Sequence, residues 1–119
     1  MARYEHLPVY KSAYQLLQLV GRLVQNMPRT VKPVLGARLH QTCEEVIQQI
    51  WRANDRPNAK KGPPLTRLIE RVRAIELLLR VSRDGRFISI PQYSDAVILT
   101  ESISKQAWKW RERSASPVT

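Results

Sequence analysis

Apolar positions recur in alternating steps of three and four along four separate stretches. That spacing holds one face of an α-helix against its neighbours. The most regular set is Leu65, Leu68, Val72, Ile75, Leu79 and Ser82, which predicts a helix over about 64–83. Upstream, Tyr10, Ala13, Tyr14, Leu17, Val20, Gly21 and Val24 predict a helix over about 8–26, with Leu16 and Leu23 beside that seam. Leu35, Leu39, Thr42 or Cys43, Val46, Ile50 and Ala53 predict a helix over about 31–54, with Glu44, Glu45, Gln48 and Gln49 facing outward. Tyr93, Ala96 or Val97, Thr100, Ile103 or Ser104, and Ala107 predict a helix over about 91–112, with Trp108 and Trp110 on opposite flanks.

Breakers separate these stretches. Asn26 and Pro28 stop the first helix, and Thr30 is a candidate N-cap for the second. The run 54–64 carries three prolines and a glycine and reads as a mobile, basic loop. Asp84-Gly85 marks a turn. Ser89 or Ser94 is positioned to cap the fourth helix, and the tail after Arg113 is expected to fray. Gly21 on the first seam costs up to about 1 kcal/mol of helix propensity, which a close helix approach would explain. The expected fold is all-α: one domain over 1–119, an up-down-up-down antiparallel four-helix bundle.

Charge changes the picture more than composition does. The 119 residues are 43% apolar and 25% charged, as in ordinary globular proteins, but the net charge is +10. Residues 52–86 hold ten cations (Arg52, Arg56, Lys60, Lys61, Arg67, Arg71, Arg73, Arg80, Arg83, Arg86) against four acids. Residues 105–113 add Lys105, Lys109, Arg111 and Arg113 against Glu112. In an antiparallel bundle the loop lysines and the end of the last helix meet, forming one basic pole, with Arg83 and Arg86 at the other end. An excess of this kind attracts polyanions, and arginine suits bidentate phosphate contacts and stacking on bases. Trp108 and Trp110 interleave with these cations and are candidate stacking platforms, against the plainer role of packing. On the central helix, Glu70 is spaced to pair with Arg67 and Arg73, and Glu76 with Arg80.

Catalytic chemistry finds no foothold. No glycine-rich elbow surrounds a serine, no phosphate loop is present, and the carboxylates read as outward or ion-paired. His40 and Cys43 are two ligands at most, too few for zinc, so neither a metal nor another cofactor is expected. A single cysteine fits a reducing, cytoplasmic setting. The N-terminal segment lacks the apolar core of a signal peptide, and no stretch is long enough to span a membrane. Trp51 lies off its seam as either a bundle-edge aromatic or an interface anchor.

Over nearly its full length the chain resembles the accessory variability determinants of diversity-generating retroelements. That family belongs to a four-helix-bundle group that also includes ribosomal RNA intervening-sequence proteins. The resemblance is carried by Leu7-Pro8-Val9-Tyr10-Lys11, Met27-Pro28-Arg29, Leu35-Gly36-Ala37-Arg38-Leu39, the arginine-studded stretch Arg67 to Arg80, Phe87-Ile88-Ser89, Gln92-Tyr93 and Trp108-Lys109. Gln106-Ala107 stands where the family often has glycines. The resemblance implies a homopentameric ring and a non-catalytic role beside a reverse transcriptase. It implies binding of template-repeat RNA and cDNA during mutagenic retrohoming. Subunit contacts need two complementary patches, for which the off-seam residues Leu16, Leu23, Trp51, Leu77 and Val81 are the candidates. A ribosome- or ribosomal-RNA-associated bundle and a purely structural oligomeric module are the competing readings.

Overall fold

Proline at the first turn of a helix forfeits nothing, since that N–H has no intrahelical partner. In the computed structural model, which describes residues 3–116, Pro8 opens α1 (Pro8–Gln25) in this way. The buried stripe of α1 is Val9, Ala13, Leu16, Val20 and Leu23, continued by Met27. It is rotated from the expected seam. Two interleaved sets in this stretch share the three–four spacing, and the set that goes inside is purely aliphatic. The other contains Tyr10 and Tyr14, whose hydroxyls stay at the margin where they remain solvated. Leu16 and Leu23 are therefore core residues, 1% and 3% exposed, and are unavailable as subunit contacts.

Thr30 does not cap the second helix. The chain enters it through a wide π turn, Lys32–Gly36, in which the Gly36 N–H reaches back to the Val31 carbonyl at 3.4 Å. Gly36 is the close-approach glycine. A Cβ there would lie 2.8 Å from Val24 Cγ1, whereas one at Gly21 would meet nothing within 4 Å. From this turn α2 (Ala37–Asp55) buries Leu39, Thr42, Cys43, Val46, Ile50 and Ala53 as its spacing predicts, and Ile47 with them. Gln49, expected outside, is 4% exposed, and its Oε1 has no hydrogen-bond partner among the described residues.

The basic link is tied down rather than loose. It makes one 3-10 turn, Asn58–Lys60, and the Lys61 ammonium donates to backbone carbonyls at the end of α2. Pro63 and Pro64 then sit in the first turn of α3 (Gly62–Asp84). All six predicted seam residues of α3, Leu65 to Ser82, are fully buried. Ser82 satisfies its hydroxyl on the Leu78 carbonyl at 2.8 Å, so a polar residue costs little there.

α3 ends in a Schellman motif. The Phe87 N–H donates to the Ser82 carbonyl at 2.8 Å and the Arg86 N–H to Arg83 at 3.0 Å. The left-handed residue of that motif is Arg86, φ 62°, not the neighbouring glycine. Ser89 caps α4 (Ile90–Ala115): its Oγ accepts from the Gln92 N–H, and the Gln92 side chain accepts from the Ser89 N–H. α4 runs past Arg113 and buries Ser114, while 117–119 of the expected frayed tail lie outside the described residues. Thr100 in its core stripe donates to Glu76 Oε2 at 2.9 Å, so Glu76 pairs across to α4 rather than along α3 with Arg80.

α1 packs on α2 and α4, and α3 on the same two helices. The links between successive helices are too short to return along a helix's length, so each neighbour runs antiparallel to the last. The result is an all-α four-helix bundle, 53 × 21 × 19 Å. No helix among the described residues is long and apolar enough to cross a membrane.

Candidate nucleic-acid interface

Antiparallel packing places the start of α1, the α2–α3 link and the end of α4 at one end of the bundle. Two cavities record how closely they meet. One is lined by Leu7, Pro8 and Val9 of α1 and its approach, by Asn54 and Lys61, and by Gln106, Lys109, Trp110 and Arg113 of α4. The other joins Asn58, Ala59 and Gly62 to Arg111 and Ser114. The structure thus brings Lys60, Lys61, Lys109, Arg111 and Arg113 to one pole, as the chain reversal requires.

The cations there have different jobs. Lys61 Nζ donates to the carbonyls of Ala53 and Arg56, both at 2.5 Å, and Asn54 at 3.4 Å. These belong to the last carbonyls of α2, which lack an i+4 N–H partner; that of Ala53 also accepts from the Arg56 N–H at 3.3 Å. Burial holds the Lys61 pKa below the usual lysine value, partly offset by Asp55. Its ammonium also lies 5.8 Å over the Trp110 ring. Lys61 is a capping residue. Arg111 has its guanidinium carbon 3.9 Å over the Trp108 ring and donates to Thr66 Oγ1 at 3.1 Å. Lys60, Lys109 and Arg113 are exposed, and none forms an ion pair or side-chain hydrogen bond among the described residues.

Elsewhere the arginines disperse. Arg71 is taken by Glu45 of α2 at 2.7 Å. Arg83 is held by Asp84 at 2.9 Å and lies 4.4 Å over Tyr93. Arg83 and Arg86 line a cavity at the far end with Asn26, Phe87 and Ser89. Arg67, Arg73 and Arg80 stay exposed on α3, Arg52 on α2 and Lys105 on α4, each without an ion pair among the described residues. The expected Glu70 pairs with Arg67 and Arg73 do not form. Arg56 is half-buried beside the link.

Two apolar surfaces stand outside the core. Leu77 and Val81 are 62% and 46% exposed on the outer face of α3. Nearby, Leu78 shares a cavity with Pro33, Val34 and Ala37 at the start of α2. On the α1–α2 side, Trp51 is 42% exposed and joins a run of rings that the sequence reading missed. Tyr4 meets Trp51 at 5.7 Å and Tyr10 at 5.3 Å, and Tyr10 stacks on Tyr14 at 6.0 Å. The i,i+4 spacing of Tyr10 and Tyr14 was a readable signal; the turn that folds Tyr4 back was not.

Cys43 is buried, and burial together with Glu44 pushes its thiol up to about 12. His40 instead faces outward to Glu44 at 3.3 Å. Among the described residues no three His, Cys, Asp or Glu side chains are placed to share a metal ion. No protein-family model matches the chain, and no curated protein matches it.

Proposed function

We propose that the protein is a non-catalytic accessory subunit of a diversity-generating retroelement that holds RNA or cDNA beside a reverse transcriptase. The observation that carries the nucleic-acid part is the loop pole. Lys60, in the turn that packs on α4, lies at the same end as Lys109 and Arg113, about fifty residues on in the chain, and none of the three is paired with an acid among the described residues. A patch built from backbone-seeking cations and no groove-reading element binds phosphate without reading sequence. The retroelement part is supported by the resemblance over the helix openings and the arginine-studded α3, and the four-helix bundle is the fold that resemblance implies.

In this reading the protein acts as a homopentameric ring. Leu77, Val81 and Trp51 supply the subunit contacts, and assembly multiplies the charge and the avidity for RNA. The outer face of α3, apolar at its centre and flanked by Arg73 and Arg80, supports self-association of this kind.

A tagged pull-down from native cells tests it. Recovery of a reverse transcriptase with one discrete RNA is the expected result. Ribosomal RNA and ribosomal proteins surviving a salt wash would replace it with the ribosome-associated reading. Failure to retain any RNA at physiological salt would leave a structural module.

A further inference from the structure

The groove at the loop pole is more than a charged surface. It has a volume of about 370 Å³, within the range of small-ligand sites. Its apolar wall is Leu7, Val9 and the half-buried indole of Trp110. Lys61, which also lines it, is engaged by the carbonyls at the end of α2; its other cations are Lys109 and Arg113, four residues apart and therefore on one face of α4. Gln106, on the preceding turn of α4, lines the groove as well. The Gln106 amide is held by two hydroxyls, Ser12 Oγ at 3.2 Å and Ser102 Oγ at 3.0 Å, so its remaining polar atom has a fixed direction.

An apolar and aromatic wall, one oriented amide and a pair of unpaired cations match the parts of a nucleotide. The base has two flat faces and a hydrogen-bonding edge; the phosphate carries the charge. A duplex cannot offer its bases to such a groove, because they are stacked and paired. We propose that this groove takes one unpaired nucleotide of the bound RNA, its base against Trp110 and its phosphate between Lys109 and Arg113. The proposal rests on the nucleic-acid reading above and adds a preference for single strands to it.

The test uses the full chain and two probes, adenosine monophosphate and inorganic phosphate. Each is titrated while the Trp110 indole N–H resonance is followed, assigned with Trp110→Phe. Binding of short single-stranded and duplex RNA is measured in parallel for the parent, for Lys109→Glu with Arg113→Glu, and for Arg73→Glu with Arg80→Glu. We expect the nucleotide, and not phosphate, to shift Trp110. We expect the groove pair to weaken single-stranded binding by about tenfold more than the α3 pair, the scale of one stacked base. Equal shifts from phosphate, or equal weakening by the two pairs, would overturn the groove while leaving RNA binding in place. RNA binding without any nucleotide shift at Trp110 would do the same. A nucleotide shift in a protein that retains no RNA would keep the groove and overturn the larger reading, and neither signal would overturn both.

Discussion

The Lys61 ammonium donates to the carbonyl oxygen of Ala53, eight residues earlier in the chain, and so closes the end of α2 with the residue that precedes α3. Its neighbour Lys60 is exposed and unpaired among the described residues. Two adjacent lysines of the same loop thus have different roles, one in stability and one at the surface. Lys61→Met should destabilise the fold by about 1–2 kcal/mol, through loss of a charged cap on several carbonyls. Lys60→Glu should leave the denaturation midpoint in place and weaken RNA binding. Urea titration beside an RNA-binding isotherm separates the two, and equal effects on both readouts would remove the distinction.

Gly36 and Gly21 should respond oppositely to alanine. At Gly36 the new methyl meets Val24 at 2.8 Å, and overpacking of that kind costs about 1–3 kcal/mol. At Gly21 it meets nothing, so Gly21→Ala should gain up to about 1 kcal/mol of helix propensity. Denaturation midpoints that move in the same direction would contradict the packing described at the α1–α2 junction.

Arg86 occupies the left-handed position that glycine usually takes in a Schellman motif. Arg86→Gly should stabilise the protein by up to about 1 kcal/mol, whereas Arg86→Ala, which pays the same backbone cost as arginine, should change it little. Thermal melts of the two variants decide this. A matched gain in both would mean that charge, not backbone strain, is what the arginine costs.

Cys43 gives stability a dependence on alkaline pH. Its thiol stays protonated in the folded protein until about 12 and ionises from about 9 in the unfolded chain. Between those values the unfolded state binds fewer protons, so the contribution is intact below about 9 and is lost as pH rises towards 12. The slope is about 1.4 kcal/mol per pH unit. Cys43→Ala should flatten the stability–pH curve in that window relative to the parent. Identical slopes would show that the thiol is solvated.

Leu77 and Val81 are exposed enough to change without unfolding the subunit. Leu77→Asp with Val81→Asp should keep a cooperative melt and lower the mass in solution, read by sedimentation. Leu16→Asp should abolish the cooperative melt, because Leu16 is 1% exposed in the core. An unchanged mass for the α3 double variant would count against this face as the subunit contact of the proposed ring.

Much of this fold is legible in the sequence. The seam of α3 was legible in full, because Leu65 to Ser82 keeps alternating steps of three and four over its whole length, whereas the apolar residues off it, such as Leu77 and Val81, cover only the last two turns. The α2 stripe, the proline-marked helix starts and the meeting of the loop with the end of α4 followed from the same periodicity and from short links. Where two sets competed, as in α1, periodicity could not choose between them. Packing chose, by taking the aliphatic set inside and leaving the tyrosines at the surface. Likewise, composition could count the cations but not divide them. Tertiary structure decided that Lys61 caps a helix, that Arg71 belongs to Glu45, and that Lys109, Arg113, Gln106 and Trp110 share a groove with the start of α1. Those roles depend on which segments meet across the bundle, and a one-dimensional spacing carries no information about that.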